Sequence, residues 1–211
     1  MLSQIYDIYS HSIPKPEKER NGDSSQIREL SEENLVLLTV ADGVGSHVCD
    51  WFASETTCQT VCELFAQTTG HISDRLQLSI QRAHAQVRSE TGNCSGAQST
   101  LVAVVWERGE NRINYASAGD SRLYKHTAQG MVQLTKDDSA SVLATVGGEP
   151  ILQAGMLVFI HGLTRAIGQQ EMLNVNIQSC EFNEGEALVL ATDGMHSYGL
   201  YPRRRTRFGE T

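Results

Sequence analysis

The sequence predicts an α+β fold with antiparallel strand pairing, and three features support this. Two successive stretches, near 51–65 and 73–90, carry apolar residues three and four positions apart, as amphipathic helices do. Two pairs of short strands are each joined by a turn-forming segment of four or five residues, which is typical of hairpins. Two short apolar runs, at 34–41 and 187–192, are typical of strands buried on both faces. Because strands joined by short turns run antiparallel, a doubly wound parallel sheet is a poor fit.

The elements can be predicted in order along the chain. The first thirty residues are polar and contain no helical pattern, and the first predicted strand is Asn34–Ala41. The first helix carries one apolar stripe, and the second is predicted over Ser73–Glu90, with the loop Thr91–Gly96 after it. The stripe of the first helix consists of Trp51, Cys58, Val61, Cys62 and Phe65.

The second half of the chain is predicted to consist mainly of strands. The first hairpin pairs Ser99–Trp106 with Arg112–Ala118, and the second pairs Ser121–His126 with Met131–Thr135. A short helix over Ser139–Thr145, a turn at Gly147–Pro150 and a last strand over Ala187–Thr192 complete the prediction. Since no linker or internal repeat divides the chain, residues 1–200 are predicted to be one domain and 201–211 a basic, irregular tail.

Composition limits the function classes. The 211 residues include 25 Asp and Glu against 17 Lys and Arg, a formal charge of −8, which argues against a nucleic-acid partner. The mean hydropathy of −0.29 and the short apolar runs predict no membrane association. Five scattered cysteines and no secretion signal favour a reduced, cytoplasmic location, with Cys58 and Cys62 as buried core thiols.

Three predicted strands end in aspartate beside glycine. The strand before Asp42 and the strand before Asp193 both end in Asp-Gly, and a third ends at Gly119-Asp120. If these strand ends converge, the carboxylates repel one another and need a cation, and their oxygen atoms favour Mg²⁺ or Mn²⁺ over zinc. Asp-Gly is also a common turn dipeptide, so spacing alone leaves a plain turn as an open alternative.

Several segments resemble the metal-dependent protein phosphatases (the PPM, or type 2C, family) in the family's order. The segment around Asp42 resembles its VADGMGGH block, Asn21–Ser24 its NEDS box and Ala118–Tyr124 its VGDSRAY block. The segments at 98–103, 134–139, 163–168 and 188–195 resemble its GTTLVA, LTKDHS, LTRALG and LLLCSDGL blocks. The resemblance extends from about residue 20 to about residue 200.

The resemblance implies a four-layer α-β-β-α sandwich of two antiparallel sheets, here lacking the last strand. It also implies a metal centre of two Mg²⁺ or Mn²⁺ ions, with a third held more loosely. Asp42 would bridge the two ions, the Gly43 carbonyl would bind one and Asp193 the other. Asp23 would act through metal-bound water, and Asp120 would help hold the third ion.

The implied activity is dephosphorylation of phosphoserine and phosphothreonine in a phosphorylated protein substrate by metal-activated water. The family's phosphate-binding arginine aligns with Lys18, and Arg20 lies close by, so either cation is a candidate to bind the phosphate.

Two alternatives to this enzyme remain open. The family's last strand carries a further metal-binding aspartate, and the residues after Asp193 contain none. The alternative is therefore a truncated or degenerate, catalytically weak domain that binds a partner or a phosphoprotein. A weaker alternative is a HAD-type phosphatase with an aspartate nucleophile, which the predicted antiparallel hairpins disfavour.

Overall fold

The computed structural model describes residues 6–16, 18–44, 48–146, 149–153 and 156–196. The predicted tail at 201–211, the end of the predicted domain at 197–200 and the first half of the turn at 147–150 lie outside these ranges. The helices are α1 (Asp50–Gln67), α2 (Ile72–Arg88) and α3 (Asp193–His196). The strands are β1 (Asp23–Leu30), β2 (Leu35–Asp42), β3 (Leu101–Glu107), β4 (Arg112–Ala118), β5 (Arg122–Thr127), β6 (Gly130–Gln133), β7 (Ser139–Leu143), β8 (Thr145–Val146), β9 (Glu149–Pro150), β10 (Leu152–Gln153), β11 (Met156–Leu157), β12 (Phe159–Leu163), β13 (Gln178–Glu181) and β14 (Ala187–Ala191).

The strands form two main antiparallel sheets. The larger has the order β1-β2-β3-β4-β13, and the smaller has the order β14-β5-β6. Three short two-stranded pairings, β7 with β12, β8 with β9 and β10 with β11, occupy the connection between β6 and β13. The predicted α+β class with antiparallel pairing is therefore confirmed.

The core lies on both faces of the larger sheet. Along β3, Leu101, Ala103 and Val105 pack with residues of α1 and α2, while Val102 and Val104 pack with Leu123, Leu188 and Leu190 of the smaller sheet. This explains the continuous apolar run of β3, because both faces of the strand are buried. The strand β14 lies at the edge of its sheet and is mostly half-buried.

Two local expectations differ from the structure. The helix predicted over Ser139–Thr145 is wrong, since Ser139–Leu143 is a strand that pairs with Phe159–Leu163. The partner lies far along the chain, so no local pattern reveals it. The strand β1 was not predicted because it is an edge strand with a mostly polar, partly exposed sequence.

The cysteines also differ in part from expectation. Cys58 and Cys62 are buried thiols, as predicted, and burial raises the pKa of Cys58 to about 12. Cys49 and Cys94 form a disulfide with a Cα–Cα distance of 5.2 Å, so the expectation of reduced cysteines is wrong for this pair. The pairing depends on the start of α1 meeting the loop after α2, which the spacing of the cysteines does not indicate. Among the described residues, the helices are all too short or too polar to cross a membrane.

Candidate metal centre

The candidate site begins at the paired ends of β1 and β2. Their antiparallel register sets Asp23, the first residue of β1, opposite Asp42, the last residue of β2. Directly opposed residues in an antiparallel pair have Cβ atoms about 5 Å apart, so the two carboxyl groups share one edge of the sheet. The register therefore joins two aspartates that are far apart in sequence.

The third carboxylate comes from the smaller sheet. The strand β14 is followed by Thr192 and then by Asp193, the first residue of α3. The hydroxyl of Thr192 donates a hydrogen bond of 3.2 Å to Oδ2 of Asp23. The Asp42 carboxyl group hydrogen-bonds with both Asp23 and Asp193. The structure thus brings together Asp42, Asp193 and Asp23, the last of which begins a strand instead of ending one.

The carboxyl cluster is electrostatically strained. Burial, followed by the charges of Asp23 and Asp193, raises the pKa of Asp42 to about 9. Burial also raises the pKa of Asp23, although hydrogen bonds from Asp42 and Thr192 and the charge of Lys15 oppose this. In the absence of a cation, the cluster therefore retains a proton near neutral pH.

The backbone around Asp42 is held by β3 and its flanking residues. The Asp42 N–H donates to Oγ1 of Thr100 at 2.9 Å, and the Thr100 N–H donates back to the Asp42 carbonyl at 2.8 Å. The Ser99 hydroxyl also donates to that carbonyl, at 3.1 Å. Sequence reasoning did not assign a role to Thr100, Thr192 or Lys15; the only signal for Thr100 was its position inside the matching block at 98–103.

Gly43 lies between two close backbone neighbours. Its N–H donates a 2.9 Å hydrogen bond to the carbonyl of Gly22. A Cβ atom on Gly43 would lie 2.0 Å from the carbonyl oxygen of Asp50 in the first turn of α1. Glycine is required here because the backbones approach so closely.

Asp120 lies in the turn between β4 and β5 and is half-buried. Its carbonyl oxygen is 3.1 Å from Nε2 of His196, which must be the donor, and His196 is three residues after Asp193. Asp120 is therefore beside α3, while the direct carboxyl contacts of Asp42 are with Asp23 and Asp193.

The two predicted phosphate-binding cations both contact the start of α1. The Lys18 ammonium forms an ion pair with the carboxylate of Asp50. The Arg20 guanidinium lies 3.4 Å from the ring centroid of Trp51, and its Nη2 atom is 3.5 Å from Oε1 of Glu55. No pattern in the sequence indicates that Asp50 or Trp51 contacts these cations.

The donor set fits a hard divalent cation. Three carboxyl groups meet, burial raises the pKa of Asp42 and of Asp23, and oxygen ligands suit Mg²⁺ or Mn²⁺. Within the described residues, no group of three or more His, Cys, Asp or Glu side chains has the arrangement of a preformed ion site. The carboxyl groups of the cluster are instead hydrogen-bonded to one another.

Comparison with known proteins identifies the family. The model of the family described as protein phosphatase 2C matches residues 16–210. The chain belongs to the protein phosphatase 2C family. The family and the enzyme class, protein serine/threonine phosphatase, are as the motifs predicted, and the HAD-type alternative is ruled out.

Bacterial phosphatases are among the relatives of this family member. It is 27% identical over 188 residues to the serine/threonine phosphatase stp of Listeria monocytogenes serotype 4b, covering 84% of this chain and 73% of that protein. It is 22% identical over 182 residues to the protein phosphatase PhpP of Streptococcus pneumoniae strain D39, covering 79% of this chain and 70% of that one.

Solved structures support the same fold. Staphylococcus aureus Stp1 superposes with a TM-score of 0.69 at 19% identity, over 88% of this chain and 75% of Stp1. The catalytic domain of PstP, solved in complex with two manganese ions, superposes with a TM-score of 0.60 at 23% identity, over 84% of this chain and 73% of that one. At these identities the likeness establishes the sandwich fold.

Proposed function

We propose that this chain hydrolyses phosphoserine and phosphothreonine in phosphorylated proteins with Mg²⁺ or Mn²⁺ as cofactor. The observation that carries the proposal is the meeting of Asp23, Asp42 and Asp193; burial, followed by the charges of the two neighbouring carboxylates, raises the pKa of Asp42 to about 9. A cluster in this state gains from binding a divalent cation, since the cation offsets the repulsion among the carboxylates. When bound, such ions supply an activated water and neutralise the phosphoryl oxygens.

The residues of the chain have separate tasks in this proposal. Asp42 and Asp193, with the carbonyl of Gly43, would hold two ions, and Asp23 would orient water at the same site. Asp120 would help Asp193 to hold a third ion. Thr100 keeps the Asp42 backbone in position through two hydrogen bonds of 2.9 and 2.8 Å. One of the two cations of the basic segment 18–20, Lys18 or Arg20, would bind the substrate phosphate.

The test is hydrolysis of p-nitrophenyl phosphate and of a phosphothreonine peptide, with and without Mn²⁺. We expect turnover that requires the metal and falls at least a hundredfold in Asp42→Ala and Asp193→Ala. The exposed Asp74 on α2 offers a matched control, because Asp74→Ala removes a carboxylate away from the cluster. Metal-independent turnover, or equal rates in all three variants, would contradict the proposal.

A second candidate is a catalytically weak domain that binds a phosphoprotein or another partner. It is favoured by the lack of a preformed ion site among the described residues. Binding of the phosphothreonine peptide without hydrolysis, at Mn²⁺ concentrations up to millimolar, would support this candidate over the enzyme.

The proposal also includes a cytoplasmic location, where phosphorylated proteins are available as substrates. The disulfide between Cys49 and Cys94 is unusual for that compartment, because cytosolic thiols are kept reduced. Fractionation of cells that express the chain, with alkylation of free thiols during lysis, tests the location and the state of this pair together.

A further inference from the structure

The two cations of the basic segment are bound in chemically different ways by the first turn of α1. Lys18 is paired with Asp50, whose side chain is only 5% exposed. Burying a carboxylate costs free energy unless a cation compensates its charge. The Lys18 ammonium provides this compensation for Asp50. Gly22 leaves the space for this pair, since a Cβ there would lie 3.0 Å from Oδ2 of Asp50.

Arg20 contacts an aromatic ring and an exposed carboxylate instead of a buried one. The guanidinium carbon lies 3.4 Å from the centroid of the Trp51 ring, and both Arg20 and its ion-pair partner Glu55 are more than 50% exposed. Stacking uses the flat face of the guanidinium. Because its N–H donors lie in the plane of the group, a stacked guanidinium can still donate them to another partner. The ion pair between Arg20 and Glu55 is exposed and its N–O distance is long. A phosphate dianion can therefore replace Glu55 beside Arg20 at little cost in free energy.

Both partners of this stack are anchored next to the carboxyl cluster. Arg20 precedes Gly22 by two residues, and the Gly22 carbonyl accepts a hydrogen bond from Gly43. Trp51 follows Asp50, whose carbonyl packs against Gly43. The backbone next to each member of the stacked pair therefore contacts Gly43, the residue that directly follows Asp42.

We propose that Arg20 is the cation that binds the substrate phosphate in this chain, and that Trp51 is the positioning residue that holds its guanidinium. The inference rests on the proposed phosphatase function and deepens it. A stacked, planar guanidinium can donate two hydrogen bonds to one phosphate, and it loses little side-chain freedom in doing so. Trp51 thus acts on substrate binding through Arg20 and takes no part in the chemical step.

The test is a double-mutant cycle with p-nitrophenyl phosphate and a phosphothreonine peptide in the presence of Mn²⁺. Trp51→Leu should raise KM about fivefold with kcat changed less than twofold, which is the strength of one half-exposed cation–π contact. Trp51→Phe should recover most of the loss, because it restores an aromatic face. In an Arg20→Ala background, which itself raises KM tenfold or more, Trp51→Leu should add less than 1.5-fold.

Two further variants serve as controls for the double-mutant cycle of Arg20 and Trp51. Arg82→Ala removes an exposed arginine from α2 and should leave KM unchanged. Arg20→Lys keeps the charge and can still lie over the Trp51 ring, but it lacks the two parallel donors of the guanidinium, so it should raise KM while the effect of Trp51→Leu is reduced rather than abolished. An equal effect of Trp51→Leu with and without Arg20, or a loss in kcat alone, would overturn the inference.

Failure of the proposed function is distinguishable from failure of this inference. If the wild type does not turn over, calorimetric titration with the phosphothreonine peptide replaces KM by Kd for the same variants. If the peptide binds without being hydrolysed, and the effect of Trp51→Leu on Kd requires Arg20, the proposed phosphatase function is wrong and the inference is supported. Binding that is indifferent to both residues would refute the inference whether or not the chain is an enzyme.

Discussion

Replacing Gly43 by alanine tests the packing of the candidate metal loop. A Cβ on Gly43 would lie 2.0 Å from the carbonyl oxygen of Asp50, 2.4 Å from its carbonyl carbon and 2.9 Å from its Cα. Real Cβ atoms essentially never come closer than 3.0 Å, so the loop and the first turn of α1 would have to separate by about 1 Å. All three atoms are backbone atoms, and no change of rotamer can relieve the overlap.

Such overpacking costs about 3 kcal/mol, the upper end of the usual range, because the neighbour is a helix and not a flexible side chain. We expect Gly43→Ala to lower the free energy of unfolding in urea by this amount and to reduce Mn²⁺-dependent turnover, since Gly43 directly follows Asp42 at the end of β2. Gly194 is the matched control. It follows Asp193 as Gly43 follows Asp42, but a Cβ there would meet nothing closer than Thr192 Oγ1 at 4.0 Å.

The control should leave the free energy of unfolding unchanged or raise it by up to about 1 kcal/mol, because Gly194 lies in α3 and alanine has the higher helix propensity. If Gly43→Ala were as stable as Gly194→Ala, or fully active, the close approach of the loop and α1 would be refuted.

Three further predictions concern the free energy of unfolding, measured in urea. Lys18→Met leaves the buried charge of Asp50 without its partner and should cost about 3 kcal/mol. Cys94→Ser opens the link to Cys49, which spans a sequence separation of 45, and should cost about 4 kcal/mol on the chain-entropy model. Burial lowers the pKa of His84 below its ordinary 6.5, so the unfolded chain binds the extra proton first, and stability should fall as pH drops below about 6.5. His84→Gln should flatten this part of the pH profile.

Each of these has a control and a contradicting result. Combining Lys18→Met with Asp50→Asn should restore stability, and a single variant as stable as the wild type would exclude the buried pair. Cys180→Ser, which changes a free and half-buried thiol, should be neutral, and equal loss in both cysteine variants would argue against the disulfide. A pH profile unchanged by His84→Gln would assign the acid sensitivity to other groups.

Much of the fold is visible in the sequence because its signals are local. The helices α1 and α2 follow from apolar residues three and four apart, and the hairpin of β3 and β4 follows from two apolar strands and a short turn. The edge strand β1 has no such signal, because its exposed face selects polar residues. The pairing of β7 with β12 joins segments distant in sequence, and its residues fit a short helix equally well when read alone.

The candidate site divides in the same way. The sequence by itself determined which aspartates end strands, and it carried the motifs that identify the family. Only the tertiary structure decided that Asp23 and Asp42 face each other in register, that Lys18 is committed to Asp50, and that Arg20 stacks on Trp51. It also distinguishes the two Asp-Gly motifs, because Gly43 lies against the backbone of α1 whereas a Cβ on Gly194 would have free space around it. The physical reason is that a local pattern reports the burial and backbone preference of a segment, whereas charge compensation and close approach depend on partners brought in from elsewhere in the chain.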